Sequence, residues 1–363
     1  MRLHKGDTTS PGPSTGPCAF WTPLVPSVTL QSVYFKLETC NPTGSYKDRF
    51  TAAEVERMMR LGIASCFATS SGNTGSSLAA YCARHGIRCT IVVPDSTPAG
   101  KIAQMQAHGA RTLLLRDFVT NPEITSRTLE MLAARGHLVA SAYRYCPDGM
   151  AGVESMAHEI GAQYPDVKHI FVPVGGGGLF TAICRGIGTG PWRGGSPPAE
   201  QRPVPRGKTR PSGGVVEGVR VHAIQPEGCS TVAAAFERGD DRIVPVTSTT
   251  RISGLAVPFD IDASLALQEL RRVGGFALTV SDDEVWRAQR EMLVKEGIYC
   301  EPAGAAALAG LHRACARGLI RNGEPAVCLV TGHGFKDPDS IQAAGRQHPA
   351  RTCSIEELAE LVE

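Results

Sequence analysis

Long apolar runs are missing from this chain, and no stretch of its 363 residues is apolar enough to span a bilayer. Met1 to Pro17 is polar and rich in Gly, Pro, Ser and Thr, without the apolar h-region of a secretory signal. An excess of charge of one sign is missing as well. The formal net charge is +2, too weak a field to make nucleic acid or an anionic membrane the main partner. Cysteine is abundant at 12 residues, yet no two form a C-x-x-C pair, so a zinc ribbon is excluded. A disulfide framework belongs to short secreted chains. Cys66, Cys89, Cys184 and Cys328 lie inside apolar stretches, where a reduced thiol acts as a small hydrophobe. These absences describe a reduced, cytoplasmic, metal-free protein that acts on small molecules.

What is present is an ordinary globular composition, 42% hydrophobic and 20% charged, long enough for two domains sharing a continuous core. From Ile63 to Ala140, short apolar strands alternate with amphipathic helices. The strands are Cys66–Ala68, Cys89–Val93 and Thr112–Leu115; the helices run near Thr74–His85, Lys101–His108 and Pro122–Arg135. That rhythm predicts a parallel sheet covered on both faces. Gly86 and Gly109 stand where left-handed caps belong, and Gly62 ends a helix begun near Lys47 whose Ala52, Val55 and Met59 share a face. A second α/β unit has strands at Ile170–Val174, Val219–Ile224 and Ala326–Val330. Its helices are Ser281–Lys295, with capping-box spacing from Ser281 to Glu284, and Ala303–Arg317. Residues 188–218 are rich in Pro, Gly and Arg and read as a flexible surface insertion.

Four motifs carry chemistry. In Asn41-Pro-Thr-Gly-Ser-Tyr-Lys47-Asp-Arg49, a Pro/Gly turn delivers Lys47 onto the first turn of a helix. A lysine amine that is partly desolvated and held near cations or dipoles becomes a covalent catalyst toward carbonyls. Ser70-Ser71-Gly72-Asn73-Thr74-Gly75 joins a strand to a helix and presents hydroxyls and N–H groups suited to a carboxylate or another anion. Gly175-Gly176-Gly177-Gly178 lies between a buried strand and the helix starting at Leu179, which makes a phosphate cup. It lacks the Gly-Lys-Ser/Thr ending of a Walker A loop, and no acidic residue ends the next strand as a dinucleotide site requires. Thr331-Gly-His-Gly-Phe-Lys-Asp-Pro338 closes the last strong strand and offers a hydroxyl to a heterocyclic nitrogen. His333, between glycines, is left outside the catalytic set.

In this order, and together with Glu301-Pro-Ala-Gly-Ala-Ala-Ala-Leu308, these motifs resemble the pyridoxal-phosphate enzymes of fold type II, most closely the threonine synthases, from about Trp21 to Asp337. The resemblance implies two open, twisted, mainly parallel sheets covered by helices. It divides the chain into a tail (1–17), a larger cofactor-anchoring domain (18–61 and 141–345), a smaller mobile α/β domain (62–140) and a C-terminal tail (346–363) with a helix at Ser354–Val362. It makes Lys47 the Schiff-base lysine and proton shuttle of pyridoxal 5'-phosphate. Asn73 faces the cofactor's 3-hydroxyl, Gly175 to Gly178 with the Leu179 amide hold its phosphate, and Thr331 faces its ring nitrogen. Ser70, Ser71 and Thr74 bind the substrate's carboxylate or phosphate. A homodimer is also implied.

The chain departs from the threonine synthase pattern in one place. The arginine that helps bind the substrate phosphate there falls on Gly149, and Ala151-Gly-Val-Glu-Ser155 lacks the usual lysine. Arg144, in a rearranged loop, is the candidate replacement. Two enzymatic readings follow. One converts O-phosphohomoserine and water to threonine and phosphate. The other is β-replacement or β-elimination on a serine, phosphoserine or threonine-type substrate, as in cysteate synthases, cysteine synthases or threonine dehydratases. A catalytically silent binding protein is the reading from another class.

Overall fold

The computed structural model describes residues 21–69, 72–118, 121–189, 218–346 and 350–361. The expectations for Met1–Pro17, for residues 190–217 of the insertion, and for Ser70 and Ser71 lie outside the described residues.

Ten strands form two sheets among the described residues. They are β1 (Leu24–Pro26), β2 (Val33–Leu37), β3 (Ser65–Thr69), β4 (Arg88–Pro94), β5 (Arg111–Leu115), β6 (His137–Val139), β7 (His169–Pro173), β8 (Arg220–Pro226), β9 (Ala277–Val280) and β10 (Ala326–Val330). One sheet has the order β1-β2-β10-β7-β8-β9 and the other β5-β4-β3-β6. Every pairing is parallel except β1 with β2. Every residue of β7 and β10 is buried, as continuous apolar strands in a sheet covered on both faces must be. β5, at the edge of the smaller sheet, leaves Leu113 and Leu114 exposed.

The covering helices are α1 (Lys47–Arg60), α2 (Asn73–Arg84), α3 (Ala99–Ala107), α4 (Pro122–Arg135), α5 (Pro147–Gln163), α6 (Gly178–Thr189), α7 (Thr231–Arg238), α8 (Ala263–Arg272), α9 (Asp282–Lys295) and α10 (Pro302–Ala316). α11 (Pro338–Gly345) and α12 (Ile355–Leu361) follow. The Ser281–Glu284 capping box forms at the start of α9. The buried face of α1 differs from the expectation in one residue. Its inward stripe is Ala52, Val55 and Met58, at i+3 steps, whereas Met59 is turned outward and half exposed. Full burial of Phe50, Val55 and Met58 contributes roughly 1.5–3 kcal/mol each.

The topology sets where a ligand can lie. β3, β7 and β10 all run parallel to their neighbours and end toward one cleft, and the segments after their C-terminal ends carry Asn73, the four glycines and Thr331. Crevices at the carboxyl ends of parallel strands are where open α/β sheets bind ligands. Among the described residues no helix is long and apolar enough to cross a membrane.

Candidate active site

The turn before Lys47 is fastened to the segment after β10. Tyr46 N–H donates to the Thr331 carbonyl (3.1 Å), His333 N–H donates to the Gly44 carbonyl (2.8 Å), and Ser45 bridges Gly332. Two motifs almost three hundred residues apart in the chain are thereby zipped together, which sets Lys47 beside Thr331. Gly44 is at φ +79, and a Cβ there would meet the Cβ of His333 at 3.1 Å, so this close approach calls for glycine.

The two residues after Lys47 point away from the cleft and hold the helix start. Asp48 is fully buried and accepts from the Thr43 N–H (2.7 Å), the Thr43 hydroxyl (2.5 Å) and the Ser77 hydroxyl (2.5 Å). Burial pushes its carboxyl up, and those hydrogen bonds pull against the rise. Arg49 is buried between Glu38 and Glu159, with N···O contacts of 2.5 to 2.8 Å, and Lys36 meets Glu159 at 2.6 Å. Lys47 alone of the three faces the cavity. Its Nζ donates to Ser141 Oγ at 2.7 Å and lies 4.7 Å from the Tyr46 ring centroid. Ser141 Oγ is also 3.0 Å from Thr74 Oγ1, which makes a hydroxyl chain from α2 to the lysine.

The cavity is about 180 Å³ and lies between the two sheets. Lys47, Asn73, Thr74, Gly175 to Gly178, Leu179 and Thr331 all line it. The glycines form a concave turn leading into α6. Gly177 has φ +97, and a Cβ on it would sit 2.5 Å from the Asp262 carbonyl oxygen; one on Gly178 would sit 2.9 Å from Asp262 Oδ2. Gly177 is closed to any side chain by its backbone neighbours, and a side chain at Gly178 would have to displace the Asp262 carboxylate. Among the described residues the N–H groups of Gly175 to Leu179 have no backbone acceptor, and these residues line the cavity at the positive end of α6.

Opposite the cup, Asn73 Nδ2 donates to Glu301 Oε1 (2.5 Å), and Glu301 Oε2 pairs with Lys101 Nζ (3.1 Å), which also donates to Ser253 Oγ (3.1 Å). Asn73 Oδ1 is buried without a partner, an acceptor that a ligand's hydroxyl would satisfy. Sequence reasoning missed Ser141, Lys101, Glu301 and Asp262. Glu301 lay in a quoted motif without a role; the other three stand in ordinary sequence contexts. Asp262 accepts from the N–H groups of Tyr143 (2.7 Å) and Arg144 (3.3 Å), so it anchors the loop that carries Ser141 against the cup. Burial raises its carboxyl, while those N–H groups and then Lys47 favour the charged form.

The chain matches the family described as "Pyridoxal-phosphate dependent enzyme" over residues 17–332. It belongs to that family. The threonine synthase of Methanocaldococcus jannaschii is 31% identical over 342 residues, covering 92% of this chain and 78% of the relative. That of Bacillus sp. (strain ULM1) is 32% identical, covering 88% of this chain and 84% of the relative. Among solved structures, threonine deaminase isoform 2 from Solanum lycopersicum superposes with a TM-score of 0.71 at 20% identity, over 91% of this chain and 88% of that one. Maize serine racemase does so with a TM-score of 0.70 at 18% identity, over 91% and 94%. These structures share the fold, that of the fold type II pyridoxal-phosphate enzymes.

Pyridoxal 5'-phosphate is the cofactor of this pyridoxal-phosphate dependent enzyme, and the cavity fits it. The unpaired N–H groups of the glycine turn suit a phosphate, the orphan Asn73 Oδ1 suits a ring hydroxyl, and Thr331 supplies a hydroxyl on the wall beside Lys47. Arg144 is the sequence candidate that the structure keeps away. Its side chain is exposed, lies over the Tyr145 ring at 5.9 Å and does not line the cavity. Gly149 offers no opening for an arginine either, since a Cβ there would meet Phe50 Cε2 at 2.7 Å inside the α1–α5 contact. His333 stays out of the cavity lining, and its Nδ1 accepts from the Phe335 N–H (3.3 Å).

Proposed function

We propose that this enzyme is a threonine synthase-like lyase that turns O-phosphohomoserine and water into threonine and phosphate by γ-elimination followed by β-addition. The observation carrying this reading is the similarity to threonine synthases along about nine-tenths of the chain, with Lys47, Asn73, the glycine turn and Thr331 all gathered at one cavity. Bound there, the cofactor supplies an electrophilic carbon for the substrate's amine and a sink for the electron pair released at the α carbon.

The protein's own groups account for the rest. The N–H groups of Gly175 to Leu179 hold the cofactor's phosphate at the N-terminus of α6. Lys47 Nζ is the base that would move protons at the substrate carbons, and its hydrogen bond to the Ser141 hydroxyl at 2.7 Å holds the amine in place. Thr331 presents a neutral hydroxyl to the ring nitrogen. It leaves that nitrogen largely unprotonated, which favours controlled elimination and replacement at the β and γ carbons. Thr74, at the N-terminus of α2, offers its hydroxyl to the substrate's carboxylate. Lys101, 1% exposed and lining the cavity, is the cation placed to receive an anionic leaving group in the absence of the arginine. The four-stranded sheet with its helices would form the smaller domain that closes over the substrate.

The second reading, β-replacement or β-elimination on a serine, phosphoserine or threonine-type substrate, is favoured by the exposure of Arg144 and the packed Gly149. Product analysis separates the two. O-phosphohomoserine, O-phosphoserine, threonine and serine are supplied in turn, with and without sulfite or sulfide. Release of phosphate with formation of threonine from the first supports the leading reading; turnover of the others alone transfers the assignment to the second. Lys47→Ala should abolish both turnover and borohydride trapping of the cofactor. Unchanged turnover in that variant overturns the assignment of Lys47, and a silent protein is diagnosed by trapping without turnover of any substrate.

A further inference from the structure

Away from the active site, three thiols converge in the core of the smaller sheet. Cys66 on β3 and Cys89 on β4 are directly paired across the parallel ladder, so their side chains leave the same face of the sheet. α2 packs on that face and brings Cys82 from its last turns. The three Sγ atoms lie within 4.8 Å of one another, with Cys66 and Cys82 at 3.8 Å, and none forms a disulfide. All three are buried, at 1%, 0% and 9% exposure. The sequence spacing has no motif, because the trio is assembled by register and helix packing.

We propose that Cys66, Cys82 and Cys89 form a preassembled trithiol site for trivalent arsenic, taken up as arsenous acid. The choice among thiophilic elements rests on charge and ligand number. The surroundings are apolar, with Val55, Leu78 and Ile91 in the same buried cluster. The titratable neighbour, His137, is paired with Cys66 across β3 and β6, and its Nε2 is held by Glu54 at 2.9 Å. Three thiolates around a monovalent or divalent cation leave a net negative charge in that core, which costs several kcal/mol when unpaired. Structural zinc also takes four ligands, and the cluster holds three. Trivalent arsenic bound by three thiolates is neutral and three-coordinate.

The reaction balances without oxidant or reductant. Each of three As–OH bonds is exchanged for an As–S bond, the thiol proton leaves with the hydroxide as water, and three waters are released per arsenic. Hydrogen bonds from Cys66 and then Cys89 lower the Cys82 thiol, which favours loss of a proton from the trio. The product cross-links α2 to β3 and β4, stiffening the helix whose first residues are Asn73 and Thr74.

The test uses holoenzyme, pre-reduced and then freed of reductant, with sodium arsenite near equimolar and native mass spectrometry as the readout. One adduct per chain is expected, with a mass gain of one arsenic less three hydrogens, and alkylation mapping should show Cys66, Cys82 and Cys89 protected together. The adduct should vanish in Cys82→Ala and in Cys89→Ala and persist in Cys229→Ala, with circular dichroism verifying that each variant is folded. If a variant does not fold, the protection map on the native enzyme decides alone. The proposal is overturned by any of four results: no adduct, protection of other cysteines, an adduct that forms only after denaturation, or zinc displacing arsenite at equal concentration.

Discussion

Replacing Arg49 with methionine should cost this protein about 3–5 kcal/mol of folding stability, the range for removing one member of a buried ion network. The side chain is 2% exposed and donates to Glu38 Oε1 and Oε2, Glu159 Oε1 and Oε2, Ser155 Oγ and Thr22 Oγ1. Methionine keeps much of the aliphatic stem, so the loss is electrostatic rather than a cavity. What remains is Glu38 with no cation bonded to it and Glu159 sharing Lys36. Against a total of roughly 5–15 kcal/mol, that is a large fraction.

The same network fixes a pH signature. Burial by itself would raise the Glu38 carboxyl, but Arg49 and then Lys36 hold it below its ordinary 4.5. A depressed folded value gives stability that is fully present above the unfolded value and is lost as pH falls through the folded one. In Arg49→Met the opposing cation is gone, burial dominates, and the folded value rises; stability is then present below the unfolded value and lost as pH climbs through the folded one. The gap between wild type and variant is therefore widest near neutrality and narrows on acidification toward about 4.5. Urea titrations at a series of pH values, followed by circular dichroism, measure this directly. Adding Glu38→Gln to Arg49→Met should recover part of the loss at neutral pH. A loss under about 1 kcal/mol, or a gap that does not change with pH, would refute the reasoning.

Gly177→Ala should weaken cofactor binding at least about tenfold in a fluorescence titration, because a Cβ at φ +97 would press on the Asp262 carbonyl and open the turn; unaltered affinity counts against Gly175 to Gly178 as the phosphate site. Ser141→Ala should lower kcat by on the order of tenfold and leave cofactor affinity nearly as it was, since it removes only the hydroxyl that orients Lys47. Lys336 is brought down to about 8 by burial, so the unfolded chain binds the extra proton between that value and 10.5, and stability should rise over that interval. Lys336→Met should flatten the rise, and an identical slope in the variant would remove Lys336 as its source.

How much of this was legible in the sequence depended on whether a feature was local. The Lys47 turn, the glycine run and the Thr331 strand end are each written in contiguous residues, because a turn, a phosphate cup and a strand terminus are made by neighbours in the chain. The apolar runs of β4, β7 and β10 announced parallel strands for the same reason. β1, β2, β6 and β9 were not read, being short or mixed in polarity and dependent on their sheet partners. Met59 was assigned inward because spacing gives a periodicity but not the angle at which a helix docks.

The groups that meet the lysine were beyond that kind of reading. Ser141 reaches Lys47 across 94 positions, and Asn73 reaches Glu301 across 228. Asp262 governs Ser141 only through the backbone of Tyr143 and Arg144. Arg144 stands outside the cavity lining for a related reason: Asp262 takes its N–H and that of Tyr143, and in this loop Ser141 lines the cavity while Arg144 is exposed. A cofactor with a large, fixed set of polar atoms can be recognised by several local motifs at once. Under the proposed function the substrate meets residues delivered singly by different elements, with Lys101, Ser141 and Thr74 all on the cavity lining, and substrate choice is assigned to them. Exchanging Lys101 while keeping Ser141 is the substitution that should change which leaving group is accepted without changing the cofactor.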